Sequence, residues 1–455
     1  MGGSAARADP IARCTICVDF GSTFTKAALV DLAEGRIVAA ASHPTTIDTD
    51  VLDGYDVCAA ILVEQDPRAA DAEVLACSSA GGGLRIAVVG NEELVTAEAG
   101  RRVALSSGGK VVGVFSQRDR LTELPNCAPD VVLLTGGTDG GNAEPIRHAA
   151  RALVDSGWGG PVVVAGNVEA RDDVGKLLGA VPHVVADNVV PRIGVLAPES
   201  ARAAIREMFL AHVIGGKHLS QRADFAKLVR GATPDVVLTA VELLARGLDA
   251  EHPGAGDIVV VDVGGATTDV HSVVELDPED AGLSREVVAT TPVTRTVEGD
   301  LGMRWSAPTT VAAAGLEDLA GAAERRRTDP DYLPDSDRES EIDEAIAAAA
   351  AGLALRRHAG RSRVVVSPEG RVVERSGKDL REVDLLVCSG GVFRNGRTGV
   401  ARRVFEGSVG ADVEGGWQLP RAPRIVVDTD YVLAAAGLLA GRHPQAAYRL
   451  VTRLT

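Results

Sequence analysis

Two short stretches of sequence decide the fold of this protein: Asp19-Phe-Gly-Ser-Thr-Phe-Thr-Lys26 and Asp262-Val-Gly-Gly-Ala-Thr-Thr-Asp269. In each stretch the first aspartate ends a short β-rich run. The glycine-containing turn that follows leads into a second β-rich run. Glycine lets the backbone of a turn come close to a ligand, and the N–H groups of such a turn form a concavity that binds anions. The two stretches therefore predict a pair of hairpins that cradle the phosphates of a nucleotide.

The side chains of the two hairpins suit the same ligand. Hydroxyl groups can donate hydrogen bonds to phosphate oxygens, whereas Asp19 and Asp262 would repel phosphate unless Mg²⁺ lay between, usually through its waters. Lys26 has two interpretations, either compensation of phosphate charge or a solvated strand residue. We therefore predict a site for a nucleotide and Mg²⁺ that is organised by the two aspartates.

A third glycine pair, in Cys388-Ser-Gly-Gly-Val-Phe393, also follows a predicted strand. Any one of these loops taken alone is compatible with an ordinary turn. The combination of two Asp-Gly-hydroxyl hairpins with a third glycine pair favours nucleotide binding. The pattern is neither a P-loop, which needs GxxxxGK[ST] before a helix, nor a GxGxxG fingerprint.

Composition excludes several other classes of protein. The 455 residues carry 47 Lys and Arg against 63 Asp and Glu, a formal net charge of −16, which argues against a general nucleic-acid binder because such proteins need basic residues to displace counterions. Apolar residues make up 45% of the chain, too many for a disordered protein, and no apolar run approaches the ~18 residues of a membrane helix. Residues 1–10 lack the apolar region of a signal peptide. We expect a soluble cytoplasmic protein without a nucleic-acid or membrane partner.

The order of predicted strands and helices indicates three α/β segments. The pattern begins at residue 14, restarts near residue 100 and restarts again at residue 257. We predict a first domain over 14–235 with a Rossmann-like α/β subdomain inserted at about 100–198. A second domain is predicted over 236–445, and the N-terminus, 1–13, is predicted to be flexible.

The inserted segment has a glycine-rich loop of its own, Thr135-Gly-Gly-Thr-Asp-Gly-Gly-Asn142, between a strand and a helix. Two interpretations stay open. Asp139 and the glycines could bind a ligand at the helix N-terminus, or the loop is a tight turn with Asn142 as N-cap. Elsewhere, we interpret Arg325-Arg326-Arg327 as a solvated face, His271 as a core or surface histidine, and the six scattered cysteines as buried structural thiols.

Five strings together resemble one known family. They are Asp19-Phe-Gly-Ser-Thr-Phe-Thr-Lys, Leu134-Thr-Gly-Gly-Thr-Asp-Gly-Gly-Asn142, Asp262-Val-Gly-Gly-Ala-Thr-Thr-Asp-Val-His271, Glu298-Gly-Asp-Leu-Gly-Met303 and Ser389-Gly-Gly-Val-Phe-Arg-Asn395. The loops resemble those of the actin, sugar kinase and heat-shock chaperone superfamily of ATPases (ASKHA). The full set resembles the glutamate mutase accessory family of GlmL or MutL type, which is unrelated to mismatch repair, over roughly residues 14–445.

The resemblance implies an α/β fold of two related actin-like ATPase domains that close on ATP, with the Rossmann-like subdomain inserted in the first. It implies that 19–25 is phosphate loop one, 262–269 is phosphate loop two and 389–393 is the adenosine loop. Two hinge helices are also implied. Tyr431–Ala440 fits the second of these, and Pro234–Gly247 is a weaker candidate for the first.

The resemblance also implies roles for single residues. Asp19 and Asp262 are the predicted catalytic residues and would hold Mg²⁺ through water, with Asp262 the best candidate for a general base. Asp269 is expected to shape its loop. The predicted nucleotide-binding residues are Gly21, Ser22, Thr23, Thr25, Lys26, Gly264, Gly265, Thr267, Thr268, Gly390 and Gly391.

The function implied by the resemblance is that of an ATP-binding, ATP-hydrolysing accessory protein. Such a protein would reactivate an adenosylcobalamin-dependent mutase, either glutamate mutase or a related aminomutase, with ATP and Mg²⁺ as cofactors. Its expected partner is a mutase subunit, with cobalamin reached through that partner. Two alternatives stay open, namely a small-molecule kinase of the same fold and a non-catalytic ATP-binding assembly scaffold.

Overall fold

The computed structural model describes residues 14–90, 96–116, 121–222, 224–275, 291–367, 370–410 and 416–455. The predicted flexible N-terminus, 1–13, lies outside these ranges. The described residues fall into two compact units. The first unit combines 14–84, 209–253 and 430–453, and the second combines 85–208, 254–429 and 454–455.

The β-strands are defined here in chain order. Their bounds are β1 Cys14–Phe20, β2 Phe24–Asp31, β3 Arg36–Pro44, β4 Glu73–Ser78, β5 Leu84–Val89, β6 Gly109–Phe115, β7 Val131–Leu134, β8 Val162–Val164, β9 His183–Val185, β10 Val229–Ala232, β11 Gly247–Asp249, β12 His252–Pro253, β13 Ile258–Val263, β14 Thr268–Val273, β15 Val293–Glu298, β16 Arg361–Ser367, β17 Gly370–Ser376, β18 Leu385–Ser389 and β19 Arg424–Val427.

The α-helices are numbered in the same way. Their bounds are α1 Val51–Gln65, α2 Glu98–Ser106, α3 Glu144–Asp155, α4 Arg171–Leu178, α5 Glu199–Met208, α6 Ile214–Gly216, α7 Phe225–Leu228, α8 Thr233–Arg246, α9 Ala307–Ala313, α10 Ala320–Thr328, α11 Asp337–His358, α12 Gly391–Arg394, α13 Val400–Phe405, α14 Val432–Ala440 and α15 Pro444–Val451.

Two of the sheets share one strand order. The first sheet runs β3-β2-β1-β4-β10, and the second runs β15-β14-β13-β18-β19. In each, three consecutive strands form an antiparallel meander, and two further strands run parallel to the first strand of that meander. The same five-strand plan thus occurs once in each compact unit, which confirms the prediction of two related α/β domains.

A third sheet, β6-β5-β7-β8-β9, lies in chain order between β4 and β10 of the first sheet. The strands β5, β7, β8 and β9 are parallel neighbours, which agrees with the Rossmann-like segment predicted there. The sheet begins at Leu84, earlier than the predicted start at about residue 100, and nearly all of its residues belong to the second compact unit. The domain boundaries given above stay predictions.

Small aliphatic side chains fill the core of the second unit. The central strands β13 and β18 are nearly continuous runs of buried Val and Leu, because a central strand that is covered on both faces exposes neither set of its side chains. The alanine-rich helix α11 contributes Ala347, Ala350 and Ala354 to the same core. A core can therefore form although only 3% of the residues are aromatic.

Helices α8 and α14 pack closely within the first unit. A Cβ on Gly437 of α14 would lie 2.0 Å from the carbonyl oxygen of Val236 on α8, so only glycine permits this crossing. Helix α8 ends at Gly247, whose φ of +77° favours glycine. The two helices therefore cross closely, and their hinge role stays a prediction.

The interpretation of Arg325-Arg326-Arg327 as a solvated face is wrong for its central residue. Arg326 is fully buried and donates to Oδ1 of Asp343 and, at 3.0 Å, to Oε2 of Glu339. Arg325 keeps a side-chain exposure of 63%. The two carboxylates lie on α11, so the local charge run did not reveal that a second helix would neutralise one of its members.

The cysteines that the structure describes are free. Five of them are buried, as predicted, whereas Cys127 is only partly buried. Within the described ranges, no helix is both long enough and apolar enough to span a bilayer.

Candidate functional site

Loop one is the tight connection between β1 and β2. The N–H of Gly21 donates to the carbonyl oxygen of Phe24 at 3.1 Å. A Cβ on Gly21 would lie 2.6 Å from that oxygen, so a larger residue would push the turn open. The predicted glycine-dependent hairpin is therefore present, with Ser22 and Thr23 at its tip and Asp19 paired across the strands with Lys26.

Loop one is held from one side by Thr45, the first residue after β3. The Thr45 N–H donates to the Thr23 carbonyl at 2.9 Å, and its hydroxyl donates to the Gly21 carbonyl at 2.8 Å. In a planar trans peptide, the carbonyl of one residue and the N–H of the next point in opposite directions. The N–H groups of Ser22 and Phe24 therefore point away from Thr45, as an anion-binding turn requires.

Asp19 is oriented by the beginning of helix α8. The hydroxyl of Thr233 donates to Oδ1 of Asp19 at 2.6 Å, and the thiol of Cys77 lies 3.6 Å from the same oxygen. Burial raises the pKa of Cys77 far above its usual range, so the thiol stays protonated beside the carboxylate. The Thr233 hydroxyl, at the first residue of α8, thus fixes the aspartate.

Loop two repeats the turn of loop one between β13 and β14. The N–H of Gly264 donates to the carbonyl oxygen of Thr267 at 2.9 Å, and a Cβ on Gly264 would lie 2.9 Å from that oxygen. Gly21 and Gly264 thus occupy matching positions, each two residues after its aspartate. In the register of β13 and β14, Asp262 lies opposite Asp269. At the corresponding positions of β1 and β2, Asp19 lies opposite Lys26.

A separate segment, residues 302–306, holds the carbonyl groups of loop two. The N–H groups of Met303 and Arg304 donate to the carbonyls of Gly264 and Gly265 at 2.9 and 2.8 Å. The hydroxyl of Ser306 donates to the carbonyl of Ala266 at 2.6 Å. By the same peptide geometry, the N–H groups of residues 265–267 point to the opposite side. We call residues 302–306 the brace.

The brace is itself fixed by packing and by hydrogen bonds. The hydroxyl of Thr310 accepts from the Gly302 N–H at 2.8 Å, and a Cβ on Gly302 would lie 2.7 Å from the Gly265 carbonyl oxygen. The side chain of Arg304 donates to Oδ2 of Asp343 at 3.2 Å, the carboxylate that also pairs with Arg326. Loop two therefore rests on a buried ion-pair network.

The predicted adenosine loop, 389–393, lies beside loop two in the second sheet. Asp262 at the end of β13 is in register with Ser389 at the end of the parallel strand β18. Gly390 has a φ of +117°, and a Cβ there would lie 2.2 Å from the carbonyl oxygen of Val263. The second glycine, Gly391, begins helix α12. These glycines permit a sharp exit from β18 immediately next to loop two.

Three of the predicted nucleotide-binding side chains lie away from the loop tips. Thr25 and Thr268 occupy matching positions after the turns, and both are fully buried. The Thr25 hydroxyl lies 3.3 Å from that of Thr45, whereas the Thr268 hydroxyl has no hydrogen-bond partner among the described residues. The ammonium of Lys26 lies 3.9 Å from the ring centroid of Tyr431, a cation–π contact.

The glycine-rich loop of the third sheet is closed by its own hydrogen bonds. Oδ1 of Asp139 accepts from the Val168 N–H at 3.1 Å and from the Asn188 side chain at 2.8 Å. Oδ1 of Asn142 accepts from the N–H of Glu144, the first residue of α3, at 3.0 Å. This geometry favours the interpretation as a tight strand-to-helix turn.

The donor types at the two strand ends fit Mg·ATP. Among the described residues, no group of three or more His, Cys, Asp or Glu side chains is placed to hold a metal ion. Mg²⁺ is often bound through one or two carboxylates together with water and phosphate oxygens. Each unit supplies donors of these types, namely the strand-end carboxylate of Asp19 or Asp262 and a set of turn N–H groups.

The residues that sequence reasoning missed are the ones that hold the loops. The hydroxyls of Thr45, Thr233 and Ser306 bind groups of the two hairpins that lie between 24 and 214 residues away. A lone Ser or Thr carries no local signal of such a role. The string Glu298–Met303 was singled out only by resemblance, and the structure supplies a physical reason for it because its end forms part of the brace.

The repeated five-strand plan, with an Asp-ended hairpin in each copy, defines the class of actin-like ATPase folds. The family model described as "MutL protein" matches residues 15–454 of this chain. "Protein MutL" from Clostridium tetanomorphum is 35% identical over 457 residues, which cover 96% of this chain and 98% of that protein. The chain belongs to the MutL protein family, which confirms the resemblance found in the sequence.

Solved structures are similar at a much lower level. The activator of the 2-hydroxyisocaproyl-CoA dehydratase from Clostridium difficile, with bound ADPNP, is 10% identical over 95% of each chain, with a TM-score of 0.32. The ethanolamine utilization protein EutJ from Carboxydothermus hydrogenoformans is 11% identical over 97% of this chain and 91% of that chain, with a TM-score of 0.29.

Proposed function

We propose that this protein binds Mg·ATP, hydrolyses it, and acts as an accessory protein that reactivates an adenosylcobalamin-dependent mutase. The observation that carries the nucleotide part is the repeated turn. In loop one and in loop two, the carbonyl groups are tied on one side by Thr45 or by the brace, so the N–H groups point to the other side. Oriented N–H groups of this kind bind phosphate.

The chemistry that this chain would supply is positioning and charge stabilisation, the main contributions to phosphoryl transfer. Mg²⁺, when bound, would neutralise charge on the phosphates. Asp262 would orient a water molecule for attack and accept its proton. Asp19, fixed by Thr233, would hold the water shell of the metal ion. The hydroxyls of Ser22, Thr23 and Thr267 would donate to phosphate oxygens.

The mutase partner rests on the resemblance to the glutamate mutase accessory family and on membership of the MutL family. A mutase that has lost its adenosyl group retains a damaged cobalamin, and its release requires an open conformation of the enzyme. An ATPase can drive this opening if its nucleotide states differ in affinity for the open form.

The nucleotide part is tested by ATP turnover and ATP binding of the purified protein. Asp262→Asn should lower turnover by about 100- to 1,000-fold while the protein stays folded by circular dichroism. Asp257→Asn is the matched control, since Asp257 immediately precedes the other end of β13, and it should leave turnover unchanged. Equal turnover in the wild type and in Asp262→Asn would overturn the assignment of the site.

The partner is tested by pull-down of a cobalamin-dependent mutase with and without Mg·ATP. The proposal predicts association that depends on the nucleotide and release of damaged cobalamin that depends on turnover. Association without nucleotide dependence or turnover would favour an assembly scaffold. Assays of ATP loss with a panel of phosphoryl acceptors test the kinase alternative. If the ATP lost always equals the phosphorylated metabolite formed, the protein is a kinase and the accessory role is contradicted.

A further inference from the structure

One buried arginine connects loop two with the third sheet. Arg295 on β15 is 4% exposed, and its guanidinium donates to Oδ1 of Asp269 at 2.7 Å. Its other terminal nitrogen lies 3.4 Å from the carbonyl oxygens of Leu105 and Gly109. Leu105 belongs to the last turn of α2, and Gly109 begins β6. Arg295 thus touches the base of loop two and the α2–β6 corner at once.

The other carboxylate oxygen of Asp269 belongs to loop two. The hydroxyl of Thr267 donates to Oδ2 of Asp269 at 3.3 Å. The carboxylate therefore accepts from the tip of loop two with one oxygen and from Arg295 with the other. Its negative charge is divided between a loop hydroxyl and a guanidinium that reaches the third sheet.

The guanidinium of Arg295 does not use all of its hydrogen-bond donors among the described residues. Its Nε is buried and has no hydrogen-bond partner among the described residues, and its two contacts to the α2–β6 corner are long for N–H···O bonds. His271, which faces Arg295 across the strands, is also buried, and burial lowers its pKa far below the usual range. It stays neutral and does not compete for Asp269.

The same corner also lies close to the segment that leads into the brace. The ammonium of Lys110 on β6 lies 3.7 Å from the position that a Cβ on Gly299 would take. The carbonyl of Gly299 lies 3.2 Å from the hydroxyl of Ser306, which donates its proton at the shorter distance of 2.6 Å to the Ala266 carbonyl of loop two. The α2–β6 corner therefore contacts the Asp269–Arg295 pair and lies near the segment that leads into the brace.

We propose that Arg295 is a positioning residue that couples phosphate binding at loop two to the α2–β6 corner of the third sheet. A threonine hydroxyl carries one proton, so Thr267 cannot donate to Asp269 and to a phosphate oxygen together. When the Thr267 hydroxyl donates its hydrogen bond to a phosphate oxygen instead, Asp269 loses a donor and attracts Arg295 more strongly. The long contacts of Arg295 to Leu105 and Gly109 then weaken. This coupling rests on the proposed nucleotide function of loop two.

Hydrogen–deuterium exchange of the full-length protein, with and without saturating Mg·ADPNP, tests the coupling. In the wild type, amides of residues 103–115 should exchange about three- to tenfold faster with the nucleotide, as expected for the loss of one or two hydrogen bonds. In Arg295→Gln this nucleotide-dependent change should disappear, while calorimetry should still detect binding of Mg·ADPNP. A purely structural role would alter exchange equally with and without nucleotide.

Further variants keep the test decisive. Asp269→Asn removes the charge and should also abolish the change, so it replaces Arg295→Gln if that variant does not fold. Lys378→Met is the control, since Lys378 is buried and donates to carbonyls just before β15 without touching loop two, and it should keep the change.

If the wild type does not bind the nucleotide, the proposed function fails and the coupling fails with it. If the wild type binds but 103–115 does not respond, or if the response persists in Arg295→Gln and Asp269→Asn, only the coupling is overturned.

Discussion

Loop one and loop two share a turn but differ in what surrounds it. In both, a glycine two residues after an aspartate donates to a carbonyl three residues later. Loop one is held by the single residue Thr45, and its return strand carries Lys26, which stacks on Tyr431. Loop two is held by the brace, and its return strand carries Asp269, which pairs with Arg295. The comparison shows that local sequence sets the turn, whereas distant residues set its rigidity and its charge.

The largest effect should come from the ion-pair network beneath the brace. Arg326→Met leaves Asp343 and Glu339 without their buried partner, so the free energy of unfolding should fall by roughly 3–5 kcal/mol in urea denaturation. Arg325→Met is the matched control on the same helix. Its pair with Glu339 is exposed, and its loss should cost less than about 1 kcal/mol. Equal losses in the two variants would contradict the structural role of Arg326.

The glycines of the two turns give a direct comparison of the loops. Gly21→Ala and Gly264→Ala each place a Cβ within 3 Å of a carbonyl oxygen, so each should destabilise the protein by about 1–3 kcal/mol. We expect the larger loss for Gly264→Ala because three anchored carbonyls prevent loop two from shifting. Gly321→Ala, where the added Cβ meets no atom within 4 Å, is the control and should be neutral or slightly stabilising. A larger loss for Gly21→Ala would show that the brace does not stiffen loop two.

The orientation of Asp19 gives a smaller effect that should appear in turnover rather than in stability. Thr233→Val removes the 2.6 Å hydrogen bond to Asp19, and kcat for ATP should fall by about tenfold. The control is Thr239→Val on the same helix, since that hydroxyl bonds the Asp235 carbonyl one turn earlier. An unchanged kcat in Thr233→Val would mean that Asp19 needs no such support.

The last prediction is a pH dependence of stability, and it concerns the segment that leads into β15, the strand of Arg295. Burial, with Arg102 nearby, lowers the pKa of Lys378 to about 7, against about 10.4 for an unfolded lysine. Between these values the unfolded chain binds more protons than the folded one, so the free energy of unfolding should rise with pH by at most about 1.4 kcal/mol per unit. Denaturation between pH 7 and 9 measures this slope. Lys378→Met should reduce it, and an undiminished slope would assign it to other groups.

Much of the fold could be predicted because its signals are local. The sequence correctly predicted the strands that carry the two aspartates and the glycine turns that follow them. It also correctly predicted that α8 ends at Gly247. The third sheet was correctly predicted as a Rossmann-like segment, although its first strand begins at Leu84 rather than near residue 100. The site was predicted less completely because its supports, such as Thr45 and Ser306, are single polar residues with no pattern around them.

The run of arginines at 325–327 shows the same limit of prediction from sequence. Arg325 and Arg326 are neighbours in sequence and have equal charge, yet one is exposed and the other is fully buried. Helical geometry places adjacent residues on different faces, but only the position of α11 decides which face meets Glu339 and Asp343. The sequence alone therefore could not distinguish a solvated arginine from an arginine that is buried beneath the brace.

By itself, the sequence determined the family, the repeated hairpins and the residue types that suit a nucleotide, because glycine turns and strand periodicity act over a few residues. Tertiary structure decided which carbonyls are tied, where the turn N–H groups point, how Asp19 is oriented, and which charges are neutralised in the core. These properties depend on partners up to 214 residues away, and contacts of that range form only when the sheets and helices have packed.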